Sequence, residues 1–284
     1  MLDITAEMVK ELRERSGVGM SKCKEALVEA QGDMQKAIDI LRKKGLASAV
    51  KKEGRETKEG SISFFENSKN IAVLEVNTET DFVVKNEKFQ KYIKELAEQA
   101  CKTNPKSLDS FAKDAWSIDP SLSVDEYRNL IIQSIGENIQ ISRMDMITKK
   151  SNASYGIYSH MAGKIVTIVE IQGSATQEKL AYDIAMHVAA ENPEYLKSDE
   201  IPEQVIRKEE EIARSQIKNK PENVIEKIIQ GKTKAYADQV CLVNQKFVKD
   251  PSKTVEQYVE EKAKEISASL ILSCFWRWQI GESK

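Results

Sequence analysis

Ile4, Met8 and Leu12 recur at helical spacing, with Val9 beside them, and Gly17 ends the run. Cys23, Ala26, Leu27 and Ala30 form a second stripe of the same period, closed by Gly32. Asp33 is placed to cap a third helix, whose stripe is Met34, Ala37, Ile38 and Leu41, with Gly45 as its stop. Three short amphipathic helices predict a small bundle over residues 1–54. It ends in a Lys-, Glu-, Gly- and Ala-rich stretch, 46–60, that reads as a linker with some helix in it.

From Gly60 the period changes to that of strands, and an internal repeat emerges. Ile71-Ala72-Val73-Leu74-Glu75-Val76 matches Val166-Thr167-Ile168-Val169-Glu170-Ile171, so Glu75 and Glu170 fall at the same place. Each run follows a shorter one that starts near a glycine, Gly60 or Gly156, and each precedes a helical pattern. Ser123-Val124-Asp125-Glu126 and Thr254-Val255-Glu256-Gln257 both have capping-box spacing, so both open helices, and each helix leads to a late strand. The reading is α+β: the N-terminal bundle, then two related units at 55–149 and 150–284, each a hairpin, helices and a returning strand.

The second unit carries an insertion at about 200–240. Ile201, Val205 and Ile212 give a thin apolar stripe among acids. After Asn219-Lys220-Pro221 a second stripe runs Val224, Ile225, Ile228 and Ile229. This pattern predicts an antiparallel helical hairpin, each helix about 25 Å long, packed mainly on itself or laid flat on the body.

Charge narrows the chemistry. Lys and Arg number 43 against 45 Asp and Glu, a net −2, which argues against a protein built mainly to neutralise phosphate. A helper that binds RNA through Lys43, Lys44, Lys51, Lys52 and Arg55 is the alternative class. The N-terminal Met1-Leu2-Asp3-Ile4 places an acid where a secretory signal is basic, and no run approaches the about 20 apolar residues of a membrane span. Four scattered cysteines and two histidines predict reduced thiols and no metal site or cofactor. Ser16-Gly17-Val18-Gly19-Met20-Ser21-Lys22 lacks both the spacing and the preceding strand of a phosphate loop, so it is an inter-helix turn. Within it Met20 reads as core or, less well, as an adaptable partner contact.

One turn resists a bland reading. Thr80-Asp81-Phe82-Val83 follows a buried strand, and Phe82 stands where the chain should be polar. Either Phe82 plugs the core at a helix start with Asp81 as the cap, or the pair is presented to a partner. His160, near a strand end, is either a structural hydrogen-bonding residue or a surface contact. A hydrolase built on it has no nucleophile motif in support.

The Thr80–Val83 turn resembles the signature of bacterial elongation factor Ts. So does the run Leu12-Arg13-Glu14-Arg15-Ser16-Gly17-Val18-Gly19-Met20, and further matches are Gly136-Glu137-Asn138-Ile139, Tyr158-Ser159-His160, the segment from Ile184 to Ala190, and Gln245-Lys246-Phe247-Val248. The resemblance runs in order along almost the whole chain. Val84 and Ser21 depart from its commoner residues, and the chain ends at Ser283-Lys284 without the C-terminal module of some members. It implies a ubiquitin-associated-like bundle, a two-part core and a coiled-coil hairpin in a cytoplasmic protein. It also implies nucleotide exchange on elongation factor Tu, bound both with GDP and nucleotide-free, without bond-making chemistry or direct nucleic-acid binding, and with homodimerisation or a 2:2 complex open. Thr80, Asp81, Phe82 and Val83 would act beside the partner's Mg²⁺ and nucleotide. Arg13, Met20 and His160 would be further contacts.

Overall fold

The structure is a computed structural model describing residues 4–217 and 221–282. The first three residues of the expected non-secretory start, Asn219 and Lys220 of the expected turn, and the terminal Ser283-Lys284 lie outside the described residues. Two compact units emerge. One takes the chain to Lys149 and from Gln279 on; the other is Lys150–Trp278. Helices and small antiparallel sheets make the chain α+β.

The first unit opens with α1 (Ala6–Ser16), α2 (Met20–Glu29) and α3 (Met34–Val50). Thr5 caps α1, its hydroxyl accepting from Met8 N. Gly17, at φ +66°, ends α1 in the left-handed conformation that glycine adopts without penalty. Asp33 caps α3, its carboxylate accepting from Lys36 N at 3.0 Å. Gly45 does not stop α3. The helix runs on to Val50, and Gly45 is buried where a side chain would stand 3.3 Å from Leu130 Cδ2. It is there to let another helix approach. The stretch read as a linker is therefore helical up to Val50, and residue 54 is not a break in packing, because the bundle shares its core with the sheet that follows.

That sheet contains β1 (Glu59–Glu66), β2 (Asn70–Thr78) and β3 (Ile139–Thr148), antiparallel in that order. Between β2 and β3 come the one-turn α4 (Asp81–Val84), then α5 (Glu87–Thr103), α6 (Leu108–Lys113) and α7 (Val124–Ile135). The apolar face of α5 (Phe89, Tyr92, Ile93, Leu96, Ala97) is fully buried in the same core as β2. The capping box at Ser123 and Glu126 starts α7, with both reciprocal hydrogen bonds made.

The second unit contains β4 (Ala153–His160), β5 (Ile165–Gln172), α8 (Glu178–Glu191), α9 (Glu203–Ser215) and α10 (Glu222–Val240). It continues with β6 (Lys246–Phe247), β7 (Asp250–Thr254), α11 (Val255–Glu265) and β8 (Ile271–Gln279). Its sheet has the order β4-β5-β8, as the first has β1-β2-β3. Glu75 and Glu170 are both buried in middle strands. Arg143 pairs with Glu75 at 2.7 Å and Lys150 with Glu170 at 2.7 Å, and Asn77 and Gln172, each two residues on, donate to them. Gly156 does not open a strand as Gly60 nearly does. It sits inside β4, where α8 crosses so closely that a Cβ would fall 2.0 Å from the Tyr182 amide nitrogen.

In the hairpin insertion, α9 and α10 have 13 and 19 residues, or about 20 and 29 Å. The buried positions are Ile201, just before α9, and Ala213, Ile229, Ala237 and Val240 in the helices; Ile201 and Ile229 are of the expected stripes, whereas Ile212 and Val224 are exposed. Ala237 and Val240 pack with Ile201 and Cys241 in one small core, with Val205 and Ile206 of α9 against it. His187, inside the family-matching segment from Ile184 to Ala190, is core: Nε2 lies 3.0 Å from Gln245 Oε1, Nδ1 accepts from Val248 N, and burial lowers its pKa.

Candidate functional site

Strand β2 leaves the sheet at Thr78, and the chain turns at once into α4. Val83 and Val84 are buried there, at 7% and 5% exposure. A helix advances about 100° per residue, so Phe82 is turned the other way and is 79% exposed. Phe82 is therefore not a core plug. Nor is Asp81 the cap: Thr80 holds the N-cap position in extended geometry, while Asp81 pairs with Lys85 at 2.9 Å. The result is an aromatic ring and a carboxylate displayed side by side on a one-turn helix whose next two residues are anchored in the core.

The anchoring of Thr80 is unusual for a cap. Its hydroxyl makes no bond to α4; it donates to Glu137 Oε1 at 2.7 Å. Its backbone N–H donates to Glu137 Oε2 at 3.0 Å, as does the Thr78 hydroxyl at 3.1 Å. Sequence reasoning placed Glu137 in a family-matching motif but gave it no role.

The turn between α1 and α2 belongs to the same unit. The Gly17 carbonyl accepts from Lys88 Nζ at 2.6 Å and from Ser134 Oγ at 3.0 Å, and Lys88 also donates to Ser134 Oγ. Lys22 donates to the Gln133 carbonyl at 3.0 Å. Cations at the C-terminal end of α7 meet its exposed carbonyls and the negative end of its dipole. Burial lowers the Lys88 pKa, and the Arg13 charge lowers it further. Arg13 is exposed, and so is Met20, at 55%, which corrects the expectation that Met20 is core. The α1–α2 turn needs only Val18 and Cys23 inside, both fully buried, and Met20 at the start of α2 faces away from them.

His160 lies in the other unit. It is exposed at the end of β4, with Nδ1 3.1 Å from the Tyr158 hydroxyl and its ring stacked on Tyr158. Tyr182 meets Tyr158 edge-on. The chain then reverses through Met161, Ala162 and Gly163, all at positive φ, leaving Met161 65% exposed. The structure thus brings Arg13, Met20 and Thr80–Val83 into one unit and places His160 in the other.

The basic stretch that favoured RNA is largely committed within the fold. Lys44 pairs with Glu29 at 2.6 Å, Arg55 with Glu79 at 3.4 Å, and Lys52 donates to Ser48. Among the described residues there is no group of His, Cys, Asp and Glu that could hold a metal ion, and no helix is long and apolar enough to cross a membrane.

Residues 79–282 match the family model described as Elongation factor TS. A protein of Protochlamydia amoebophila named Elongation factor Ts is 53% identical over 282 residues, covering 99% of this chain and all of the relative. Its namesakes in Chlamydia muridarum and Chlamydia pneumoniae are 44% and 42% identical over 281 residues, again end to end.

Proposed function

The chain belongs to the elongation factor Ts family, and on that premise we propose that it is a guanine-nucleotide exchange factor for elongation factor Tu in the cytoplasm. The observation that carries the reading is Phe82: a ring 79% exposed on a turn whose neighbours Thr80, Val83 and Val84 are tied down. A large apolar side chain held out at that cost suits a wedge. Asp81 beside it supplies a carboxylate.

In this reading the turn enters beside the partner's nucleotide. Mg²⁺ there requires near-octahedral oxygen geometry and bridges phosphate oxygens. The Phe82 ring displaces the elements that supply its ligands, while Asp81 opposes phosphate charge. Arg13 and Met20 of the N-terminal bundle, taken as ubiquitin-associated-like, and His160 of the second unit add contacts that hold the partner. The hairpin is read as a coiled coil, and the assembly as a homodimer or a 2:2 complex. No bond is made or broken in this chain. Exchange follows from linkage: if binding this protein weakens GDP by some factor, GDP weakens this protein's binding by the same factor.

The test is release of fluorescent GDP from purified elongation factor Tu. Wild type should accelerate release, and Phe82→Ala should lose most of the acceleration while melting as wild type does. A Phe82→Ala protein that accelerates release as wild type does would refute the wedge.

A further inference from the structure

The block Gly136-Glu137-Asn138-Ile139 is left without a role by the contacts proposed above. Its geometry is specific. Gly136, at φ +98°, ends α7 in the left-handed conformation and reverses the chain. Ile139 then starts β3 directly opposite Thr78, the last residue of β2. Between these points the two chain segments exchange side chain for backbone in both directions. The Glu137 carboxylate accepts from Thr80 N, and the Glu79 carboxylate accepts from Asn138 N at 2.6 Å. Glu137 also takes the hydroxyls of Thr78 and Thr80, and Asn138 Nδ2 donates to the Arg55 carbonyl at 3.1 Å.

From this geometry we infer that Glu137 is a positioning residue for the Phe82 turn. This rests on the wedge reading above. The residue whose backbone starts α4 is Thr80, and both of its free donors end on one carboxylate. In a capping box the N-cap N–H is met by the side chain three residues on and the N-cap hydroxyl by that residue's N–H, but here the third helical residue is Val83, which has no acceptor to offer. Here the cap's own hydroxyl is drawn away, and the acceptor comes from a segment 57 residues distant in sequence. A four-residue helix has too few internal hydrogen bonds to fix its own direction. Val83 and Val84 hold it from below, and Glu137 sets where its first residue sits. Two points define a direction, so the angle at which Phe82 leaves the surface depends on Glu137.

A hydrogen-bonding role is separable from a charge role. In Glu137→Gln, the amide oxygen can still accept from Thr80 N and the Thr78 hydroxyl. The amide NH₂ can donate to the Thr80 hydroxyl, which reverses its role from donor to acceptor. Glu137→Ala removes every one of these bonds. Thr80→Val removes one donor at nearly constant shape.

The experiment measures GDP release from elongation factor Tu over a range of concentrations of the full chain, giving a maximal rate and a half-saturating concentration. Glu137→Ala should lower the maximal rate about tenfold, the effect of losing hydrogen bonds to a charged acceptor, with little change in half-saturation. Glu137→Gln should recover most of the rate, and Thr80→Val should fall between. Phe82→Ala/Glu137→Ala should be much less than tenfold slower than Phe82→Ala alone, since Glu137 acts mainly through the ring its turn carries. Hydrogen exchange should quicken at the amides of residues 80–85 in Glu137→Ala and remain at wild-type levels in the α5 core, whatever the exchange assay reports. If Glu137→Gln is as slow as Glu137→Ala, the charge itself acts and the positioning role is wrong. Wild-type exchange at residues 80–85 in Glu137→Ala would overturn it equally. If Phe82→Ala is itself as fast as wild type, it is the wedge reading that has failed.

Discussion

Lys88 Nζ stands 2.6 Å from the carbonyl oxygen of Gly17, joining the first turn of α5 to the end of α1 across 71 positions of sequence. Ser134 Oγ reaches the same carbonyl, and Lys22 takes the neighbouring Gln133 carbonyl on α7. The turn that carries Arg13 on one side and Met20 on the other is thereby fixed to the frame that carries Phe82. Two proposed contact surfaces share one set of supports, and the C-terminal end of α7 is common to both.

Lys88→Met should therefore weaken binding to elongation factor Tu by about fivefold, near 1 kcal/mol, as one partly screened charged hydrogen bond is lost. Titration calorimetry against the nucleotide-free partner reads it directly. Met20→Ala should weaken binding by a similar or larger amount without lowering the melting temperature, because its side chain is exposed. Wild-type affinity in both variants would remove Arg13 and Met20 from the contact set.

The glycines give a paired prediction about stability. Gly156→Ala would force a methyl to within 2.0 Å of the Tyr182 amide nitrogen and 2.1 Å of the Ala181 carbonyl carbon. Neither is a side chain that can swing away, so α8 must lift off β4. The cost should be about 3 kcal/mol or more, read as a large fall in denaturant midpoint. Gly45→Ala meets Leu130 Cδ2 at 3.3 Å, a contact that a small rotation relieves, and gains about 1 kcal/mol of helix propensity. It should be close to neutral. If Gly45→Ala destabilises as much as Gly156→Ala, the α3–α7 packing is tighter than this geometry implies.

These two glycines also show where sequence reading stops. A glycine that ends a helix and a glycine that admits a neighbouring backbone look alike in one chain, and what distinguishes Gly17 from Gly45 is the tertiary partner, Leu130. Features set by near neighbours were legible. The capping boxes at Ser123 and Thr254 form as their spacing demands, and β2 and β5 are buried as their apolar runs require. The matching places of Glu75 and Glu170 were legible as well, but not the cations that neutralise them. At the candidate site, periodicity could not decide between Phe82 as plug and Phe82 as wedge, because a one-turn helix is too short to have a stripe. Glu137 was invisible as a support because its donors, Thr78 and Thr80, lie more than fifty residues away.

Acid should act on the second unit through Glu170. Burial alone would raise its pKa. Hydrogen bonds from Gln172, Lys150, Ser273 and Tyr155 more than offset that and bring it from 4.5 down to about 2. Burial, with Glu170 as an added cause, pushes Tyr155 up to about 12. A depressed carboxylate pKa stabilises the fold above its unfolded value and loses that contribution as pH falls toward the folded one. The window is therefore pH 4.5 to 2, and up to about 3 kcal/mol is at stake. Lys150→Met should lower stability at pH 7 by about 1 kcal/mol, a figure reduced for the exposure of the lysine, and should flatten the acid dependence. Thermal midpoints at pH 7 and pH 3 give both quantities. Parallel curves for wild type and variant would show that Lys150 does not set the Glu170 titration.

The last prediction separates two ways in which a displayed ring and carboxylate could speed nucleotide release. If the turn acts largely by disturbing Mg²⁺ in the partner, removing the metal already accomplishes part of what this protein does. Stimulation of GDP release should then be large with Mg²⁺ and smaller, as a ratio, with chelator present. Phe82→Ala and Asp81→Ala should lose part of their defect in chelator, because two perturbations of one element are not additive. Asp81→Ala should show the larger metal dependence: its carboxylate, which pairs at 2.9 Å with a mostly exposed Lys85, can redirect toward a ligand of the metal, whereas the ring acts by volume. Stopped-flow release for wild type and both variants, with Mg²⁺ and with chelator, supplies the comparison. Equal stimulation in both conditions, with undiminished defects, would exclude metal disturbance as the main route. It would leave Phe82, aimed by Glu137, as a steric lever on the phosphate-binding side of the partner.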